Sequence, residues 1–218
     1  TKVEGGKVFF TDNAGAAQSV EAGAILVATG RAVNTEGIGL DKAGVDFDRR
    51  GIKVNDRAQT NVPGIWAAGD VTARWQLAHF ASRQSTVAIN NMFGRKDICR
   101  EDAIPAVVYT DPEIASVGIT EDMAKERGIA VKTAKFPLTG NGRYLAETEG
   151  ERGVCKIVVG AKNKEILGVH MVGPGVSEMI AAAAVAIECE LRAQDFAEVV
   201  FPHPAIGEAM RDVMFMIH

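Results

Sequence analysis

Cysteine is scarce in this sequence, and its three occurrences are too far apart to act together. Cys99, Cys155 and Cys189 are the only cysteines among the 218 residues. An odd number at this spacing offers neither a disulfide framework nor the paired ligands of a zinc site. Unpaired thiols are typical of a reducing compartment, so we expect a cytoplasmic location and no metal.

Excess positive charge and long apolar runs are also lacking. The 24 Lys and Arg residues against 28 Asp and Glu residues give a net charge of −4, which disfavours a protein that binds nucleic-acid phosphates. The longest apolar stretch, residues 179–187, is far shorter than the roughly 20 residues that span a bilayer. The first residues lack the pattern of a signal peptide. We therefore expect neither a nucleic-acid partner nor a membrane association.

Several catalytic and nucleotide-binding fingerprints are missing as well. The sequence contains no G-x-G-x-x-G motif, no Walker loop and no G-x-S-x-G elbow. No cysteine has a histidine close by in sequence, and His79, His170 and His218 have no partner at ligand spacing. We interpret these three histidines as structural or solvated. An acyl-transfer triad is therefore disfavoured.

The pattern of apolar residues predicts an α/β chain with a domain boundary near residue 100. Before it come short strands, glycine-rich loops, a continuous apolar strand at 24–28 and an amphipathic helix over 77–92. After it, strands cluster with helices, which indicates an α+β domain. The further predicted strands lie at 52–54, 65–68, 106–109, 131–136, 154–159 and 165–172, and the predicted helix starts are Thr120, Ser177, Asp195 and Pro204.

The segment Phe201-Pro-His-Pro-Ala-Ile-Gly-Glu208 carries the strongest local signal for chemistry. His203 stands between two prolines, and Glu208 follows five residues later, where its carboxylate can reach back to the imidazole. Such a carboxylate fixes the imidazole tautomer and stabilises the imidazolium, which suits acid–base catalysis. The alternative is a surface histidine beside an unrelated glutamate, and these residues by themselves favour that alternative.

Two glycine-containing turns follow apolar segments and are weaker signals. Gly69-Asp70 ends the segment 65–68, where an aspartate can accept a hydrogen bond from a sugar or polyol hydroxyl. Thr29-Gly30-Arg31 follows the strand at 24–28, where a backbone can approach a nucleotide closely. In isolation an aspartate that caps a turn is the more common explanation of the first motif.

Taken together and in order, these motifs resemble one family. The motifs are Ala28-Thr-Gly-Arg31, Ile65-Trp-Ala-Ala-Gly-Asp-Val71, Leu77-Ala-His79, Tyr109-Thr-Asp-Pro-Glu-Ile-Ala-Ser-Val-Gly118 and His203-Pro204 with Glu208. In this register the chain is similar to the C-terminal half of the flavin-dependent pyridine nucleotide-disulfide oxidoreductases, and most of all to their dihydrolipoamide dehydrogenase branch. The resemblance covers essentially the whole chain.

The resemblance implies three pieces and a set of roles. Residues 1–30 would end an NAD-binding domain, residues 31–100 would belong to the FAD-binding domain, and residues 101–218 would form a homodimeric interface domain with an antiparallel sheet and flanking helices. His203 would be the acid–base residue that acts in the partner subunit's active site, oriented by Glu208 and followed by a cis peptide bond to Pro204. The implied cofactor contacts are Asp70 to the FAD ribityl chain, Leu77, Ala78 and His79 near the flavin, and Ala28, Thr29, Gly30 and Arg31 near the NAD.

The family's redox-active cysteine pair has no counterpart among the three cysteines, so we expect a fragment that is inactive alone and forms dimers. The resemblance implies that the parent enzyme transfers electrons from dihydrolipoamide to NAD⁺ through FAD, and that lipoyl-bearing subunits of a 2-oxo acid dehydrogenase complex are its partners. A mercuric or glutathione type of reductase, or a purely structural self-association module, is the alternative. The segment Ser82-Arg-Gln-Ser85 departs from the family's usual acidic residue and glycine.

Overall fold

A computed structural model describes residues 2–217, and the first hundred of these contain little regular structure. Three exposed strands form an antiparallel meander in the order β1-β2-β3, and two short strands, β4 and β5, form a hairpin. One long helix, α1, follows. The elements are β1 (Lys2–Glu4), β2 (Lys7–Thr11), β3 (Ala17–Glu21), β4 (Phe47–Asp48), β5 (Gly51–Ile52), a 3₁₀ turn (Asp70–Thr72) and α1 (Ala78–Met92).

The predicted strand at 24–28 is wrong for this structure, although the predicted helix α1 is confirmed. Residues 24–28 have no regular structure, and the side chains of Leu26 and Val27 are 89% and 75% exposed. A strand buried on both faces needs neighbours to pair its backbone groups, and no described strand pairs with this segment. The strand at 65–68 is reduced to a single bridge between Gln59 and Trp66 for a similar reason.

The second half is organised around a five-stranded antiparallel sheet with the strand order β6-β7-β10-β9-β8. The strands β9 and β10 form the hairpin that the sequence predicts through residues 160–164. The elements are β6 (Ala106–Val108), β7 (Ile114–Gly118), α2 (Glu121–Glu126), β8 (Val131–Pro137), α3 (Gly142–Thr148), β9 (Val154–Gly160), β10 (Ile166–Val172), α4 (Val176–Glu188), α5 (Ala193–Ala197) and α6 (Glu208–Met214), with 3₁₀ turns at Glu101–Ala103 and Leu138–Gly140.

Apolar residues alternate with other residues along the strands, so that one face of this sheet packs against helices. Apolar residues at every second position of the central strands are buried, which is the period-two pattern of a sheet with a covered face. The helices α4 and α6 pack on this face and complete the main hydrophobic core. The α+β prediction for this half is therefore confirmed. The fully buried side chains of the core include Val117, Leu138, Tyr144, Ile157, Val169, Met171 and Met210.

Three of the four predicted helix starts differ from the structure. The hydroxyl of Thr120 accepts a hydrogen bond from Met123 N at 3.1 Å, so this N-cap is confirmed. The cap of α4 is Gly175 rather than Ser177, and α5 begins after Arg192, with Asp195 in the role of the reciprocating acid. The helix α6 begins at Glu208, four residues beyond Pro204. No helix in residues 2–217 is long and apolar enough to cross a bilayer.

Gly118 is the last residue of β7 and lies opposite Gly168 of β10. Its φ is +81°, a left-handed conformation that side chains other than glycine rarely adopt. A Cβ atom at this position would lie 2.8 Å from Gly168 Cα and 2.9 Å from Ile187 Cδ1, and closer still to the Leu167 carbonyl oxygen. The neighbouring backbone cannot move aside, because Gly168 and Leu167 belong to a strand paired on both edges.

We predict that Gly118→Ala lowers the free energy of unfolding by about 3 kcal/mol or more, because backbone strain and overpacking add. Gly128→Ala is the matched control. Its φ is +67° and no heavy atom lies within 4 Å of the position that the added methyl group would take, so it should cost only about 1–2 kcal/mol of strain. Urea unfolding of both variants measures the difference, and equal losses would contradict the role given to Gly118.

Candidate active site

The side chains of His203 and Glu208 form a direct contact. His203 Nδ1 lies 3.0 Å from Glu208 Oε2 and 3.2 Å from Oε1. The loop 201–207 brings them together, and the His203–Pro204 peptide bond is cis, as the resemblance implies. The imidazole is 81% exposed, whereas the Glu208 side chain is only 9% exposed. The nearly buried carboxylate therefore contacts Nδ1, and Nε2 faces outward.

Several donors converge on the Glu208 carboxylate. The Ala205 N–H donates to Oε2 at 3.0 Å, and Arg211 Nη2 donates to Oε1 at 3.3 Å. The hydrogen bond from Ala205, followed by those from His203 and the charge of Arg211, lowers the pKa of Glu208. The group is consequently a carboxylate at neutral pH. In that state it accepts a hydrogen bond from Nδ1–H and stabilises the imidazolium that forms when Nε2 takes up a proton.

The Gly69-Asp70 turn is held by a buried side chain of α1. Gln84 Oε1 accepts a hydrogen bond from Gly69 N at 2.7 Å and lies 3.3 Å from the Thr72 hydroxyl. Gly69 adopts φ +83°, which turns the chain so that Asp70 opens the following 3₁₀ turn. The Asp70 carboxylate is about half exposed, and Arg31 Nη1 lies 3.6 Å from its Oδ2. A carboxylate in this setting has acceptor capacity left for a hydroxyl group.

Leu77, Ala78 and His79 lie at the N-terminus of α1, close in sequence to this turn. Leu77 is the N-cap and makes no side-chain capping bond, so the first-turn N–H groups of the helix have no side-chain acceptor among residues 2–217. The imidazole of His79 lies against the Pro105 carbonyl oxygen, with Nε2 at 2.7 Å. The backbone rather than the imidazole of this segment is thus available to a ligand.

The structure brings some of the predicted residues together and leaves others apart. Arg31 reaches Asp70, but Ala28, Thr29 and Gly30 lie in an exposed segment without regular structure. Within residues 2–217, no hydrogen bond or ion pair joins the His203 pair to the Asp70 turn. The same residues contain no cluster of three His, Cys, Asp or Glu side chains suited to a metal. His218 lies outside the described residues.

Sequence reasoning missed the residues that hold these turns. Gln84 is 1% exposed, and the visible signal is a polar residue on the apolar face of α1. Arg83 on the preceding position donates two hydrogen bonds to Asp97, at 2.6 and 2.8 Å, and one to the Ile98 carbonyl. Asn90 donates a further one to Asp97 at 2.7 Å. This cluster ties the segment after α1 back onto the helix.

A surface cavity of about 510 Å³ lies elsewhere, in the second half of the chain. Its three arginines have acidic partners: Arg100 pairs with Glu190, Arg127 with Asp102 and Arg192 with Asp195. None of the predicted site residues lines it. Because its charges are balanced internally, the cavity offers no evident anion site.

The chain belongs to the pyridine nucleotide-disulphide oxidoreductase family. Residues 104–214 match the family's dimerisation domain, and residues 1–85 match a further family domain described as pyridine nucleotide-disulphide oxidoreductase. The first match covers the sheet and its helices, including His203 and Glu208. The second covers the meander, the Asp70 turn and the first half of α1.

Matches to individual proteins are consistent with this family. The chain is 41% identical over 204 residues to dihydrolipoyl dehydrogenase 3 of Pseudomonas aeruginosa, covering 94% of this chain and 44% of that protein. It is 39% identical over 218 residues to dihydrolipoyl dehydrogenase of Cupriavidus necator, covering 100% and 46%. The crystal structure of LpdA from Mycobacterium tuberculosis matches with a TM-score of 0.84 and 27% identity, covering 99% and 47%. The chain thus spans less than half of the length of these relatives.

The Arg83–Asp97 cluster predicts a dependence of stability on pH. The hydrogen bonds from Arg83 are the largest cause of a strongly lowered pKa of Asp97. Because the folded-state pKa lies below the unfolded value of about 3.9, the stabilisation is complete above that value and is lost as pH falls towards the folded pKa. We predict that Asp97→Asn costs about 1–3 kcal/mol at pH 7. Its deficit should shrink below about pH 4.

Urea unfolding at pH 7 and pH 3 measures this difference. Glu36→Gln is the control, because Glu36 makes no hydrogen bond or ion pair within the described residues. It should leave the stability and its pH dependence as they are in the wild-type chain. A deficit in Asp97→Asn that stays constant down to pH 3 would show that the lost hydrogen bonds do not depend on the charge of Asp97.

Proposed function

We propose that this chain supplies the acid–base pair and part of the FAD site of a dihydrolipoamide dehydrogenase. The reaction oxidises dihydrolipoamide with NAD⁺, giving lipoamide and NADH. The observation that carries the proposal is the contact of His203 Nδ1 with the nearly buried carboxylate of Glu208. The relatives named dihydrolipoyl dehydrogenase, at about 40% identity over nearly the whole chain, support the choice of substrate.

The pair suits the proton transfers of dithiol–disulfide exchange. A thiol must lose a proton before its sulfur attacks a disulfide, because the thiolate is the nucleophile. His203 Nε2 faces outward and accepts this proton, while Nδ1 donates to Glu208 throughout. The charged carboxylate stabilises the resulting imidazolium and keeps the ring in one orientation. The redox-active disulfide itself is not formed by the three cysteines of this chain, which are all free.

The Asp70 turn and the start of α1 fit the polyol chain and ring of a flavin. The half-exposed Asp70 carboxylate can accept from a ribityl hydroxyl, and the uncapped N–H groups that follow Leu77 can donate to ring oxygens. Ala28, Thr29, Gly30 and Arg31 are proposed to lie near the NAD. Two-electron transfer between dithiol and pyridine nucleotide is the chemistry that FAD supplies when bound.

A homodimer through residues 101–218 is part of the proposal. Apolar side chains directly precede the His203 loop in an exposed position: Val199 is 48% and Val200 is 93% exposed. An apolar patch beside a polar catalytic residue is typical of an interface between proteins. The match of residues 104–214 to a dimerisation domain supports dimer formation through this half of the chain. In the dimer, His203 would act on the disulfide of the partner subunit.

We also propose that the chain consists of parts of three domains. Residues 1–30 would complete an NAD-binding domain, residues 31–100 would complete the FAD-binding domain, and residues 101–218 would form the interface domain. The main hydrophobic core lies between residues 103 and 214, and a separate small core surrounds Phe80 and Val87, which supports a boundary near residue 100. Lipoyl-bearing subunits of a 2-oxo acid dehydrogenase complex are the proposed partners, in the cytoplasm.

The test of the acid–base role uses a chimera. In it, these 218 residues replace the aligned segment of dihydrolipoyl dehydrogenase 3 of Pseudomonas aeruginosa. We predict that His203→Gln lowers its turnover of dihydrolipoamide by roughly 10²–10⁴-fold, as expected for the loss of a positioned acid–base group. The flavin absorbance should stay unchanged, because His203 lies outside the Asp70 turn. Steady-state kinetics with NAD⁺ gives the result.

His170→Gln serves as the matched control in the chimera. His170 belongs to β10 and contacts the Ile119 carbonyl, and burial lowers its pKa. This variant should keep turnover within a few-fold of the parent chimera. Near-normal turnover of His203→Gln would remove the proposed catalytic role. Activity of the parent chimera with oxidised glutathione or Hg²⁺ instead of lipoamide would favour a glutathione or mercuric type of reductase.

In the same chimera we expect Asp70→Ala to weaken the binding of FAD more than it lowers turnover. Without the carboxylate one ribityl hydroxyl loses its acceptor, so we predict that the affinity for FAD falls by roughly 10- to 150-fold, as for a charged hydrogen bond of about 1.5–3 kcal/mol. Turnover with saturating FAD should fall far less than in His203→Gln. Fluorescence of released flavin measures the dissociation. Arg31→Ala is the control that separates loss of the carboxylate from loss of its ion pair.

A further inference from the structure

Asn141 connects the start of α3 to the loop that carries His203. It is 6% exposed, its Oδ1 accepts a hydrogen bond from Tyr144 N at 2.9 Å, and its Nδ2 donates to the Ala205 carbonyl at 2.9 Å. The second bond spans 64 residues of sequence. Only one orientation of the amide satisfies both partners, because a carboxamide has one acceptor end and one donor end.

The peptide groups of Ala205 are therefore held from two sides. The Ala205 N–H donates to Glu208 Oε2 at 3.0 Å, and the Ala205 carbonyl accepts from Asn141. The same Glu208 oxygen lies 3.0 Å from His203 Nδ1. A continuous series of hydrogen bonds thus runs from the backbone of α3 through Asn141, Ala205 and Glu208 to the imidazole.

The two ends of the His203 loop are anchored, because Phe201 and Ile206 pack against the main core and the Ala205 carbonyl also accepts a hydrogen bond from Glu208 N at 3.3 Å. The part between these anchors has fewer contacts. Residues 200–204 make no backbone–backbone hydrogen bond within the described chain. The two prolines restrict φ but donate no hydrogen bond. The imidazole is largely exposed, so packing does not hold it either. Between the anchored ends, the orientation of the ring consequently depends on its contact with Glu208 and, through Ala205, on Asn141.

We propose that Asn141 is a positioning residue for His203. It holds the Ala205 peptide so that the Glu208 carboxylate meets Nδ1, which keeps the proton of the neutral ring on that nitrogen. The catalytic consequence rests on the proposed function, whereas the structural consequence does not. Asn141 also caps α3, but Ser and Asp serve as N-caps equally well. The capping role alone therefore does not require an amide, whereas the hydrogen bond from Nδ2 to the Ala205 carbonyl does.

The test compares variants that keep the cap and lose the donor. Asn141→Ser and Asn141→Asp both retain an oxygen for Tyr144 N, and neither can donate to the Ala205 carbonyl in the way that Nδ2 does. Long-range ¹⁵N–¹H spectra of the 218-residue chain at neutral pH report the tautomer of each imidazole. The His203 signals are assigned by their loss in His203→Gln.

In the wild-type chain we expect His203 mainly as the Nδ1–H tautomer. In both Asn141 variants the ratio of the Nδ1–H to the Nε2–H form should fall by roughly three- to tenfold, the range that one ordinary hydrogen bond gives. Thr120→Ala is the matched control. It removes the N-cap of another short helix, α2, which has no hydrogen bond or ion pair to residues 201–208 in the described chain, so it should leave the His203 ratio unchanged.

An unchanged ratio in the folded Asn141 variants, or an equal change in Thr120→Ala, would overturn the proposal. If the variants do not fold, hydrogen exchange of the Asn141 side-chain amide in the wild-type chain decides. Exchange as fast as that of an exposed asparagine would also overturn it.

The catalytic consequence is measured separately in the chimera, where Asn141→Ser should lower kcat more than it raises KM. A chimera whose His203→Gln variant keeps its turnover would refute the proposed function. The tautomer result would then still stand, so the two failures are distinguishable.

Discussion

The geometry of the candidate site depends on one nearly buried carboxylate. Glu208 accepts hydrogen bonds from the backbone of Ala205, from the His203 ring and from Arg211. A buried carboxylate without such partners would be costly, and removal of any one partner leaves charge to be compensated by the others. The loop conformation and the charge of Glu208 therefore stabilise each other, and the imidazole takes its orientation from both.

The carboxylate can play this part because α6 is anchored in the core. Ala209, Met210 and Val213 are essentially buried against the sheet, so the first residue of the helix is fixed in position by packing rather than by its own propensity. A seven-residue helix would be marginal in isolation. The apolar face of α6 thus determines where Glu208 lies, and the contact of Glu208 with His203 is a consequence of the packing of this helix on the sheet.

Sequence reasoning was successful where the signal is local. The contact of His203 with Glu208, the helix α1 and four of the five strands of the second half follow from spacing and periodicity over a few residues, whereas β7 was not predicted. It was not successful where partners are distant. The Gln84–Gly69 bond spans 15 residues and the Asn141–Ala205 bond spans 64, and no local pattern reports such pairs. The apolar run at 24–28 has the composition of a buried strand, but a strand exists only through the neighbours that pair with it.

The exposure of His203 has a physical consequence for the proposed acid–base role of the pair. An imidazole in contact with bulk water gains little from a nearby charge, because solvent screens the interaction. The charge of Glu208 becomes fully effective only when another surface covers Nε2 and excludes water. Exposed Val199 and Val200 lie beside the loop and favour such covering through the hydrophobic effect. The event that buries these valines would then also place the contact between His203 and Glu208 in a low-dielectric environment, so that association and the strengthening of this contact are one step.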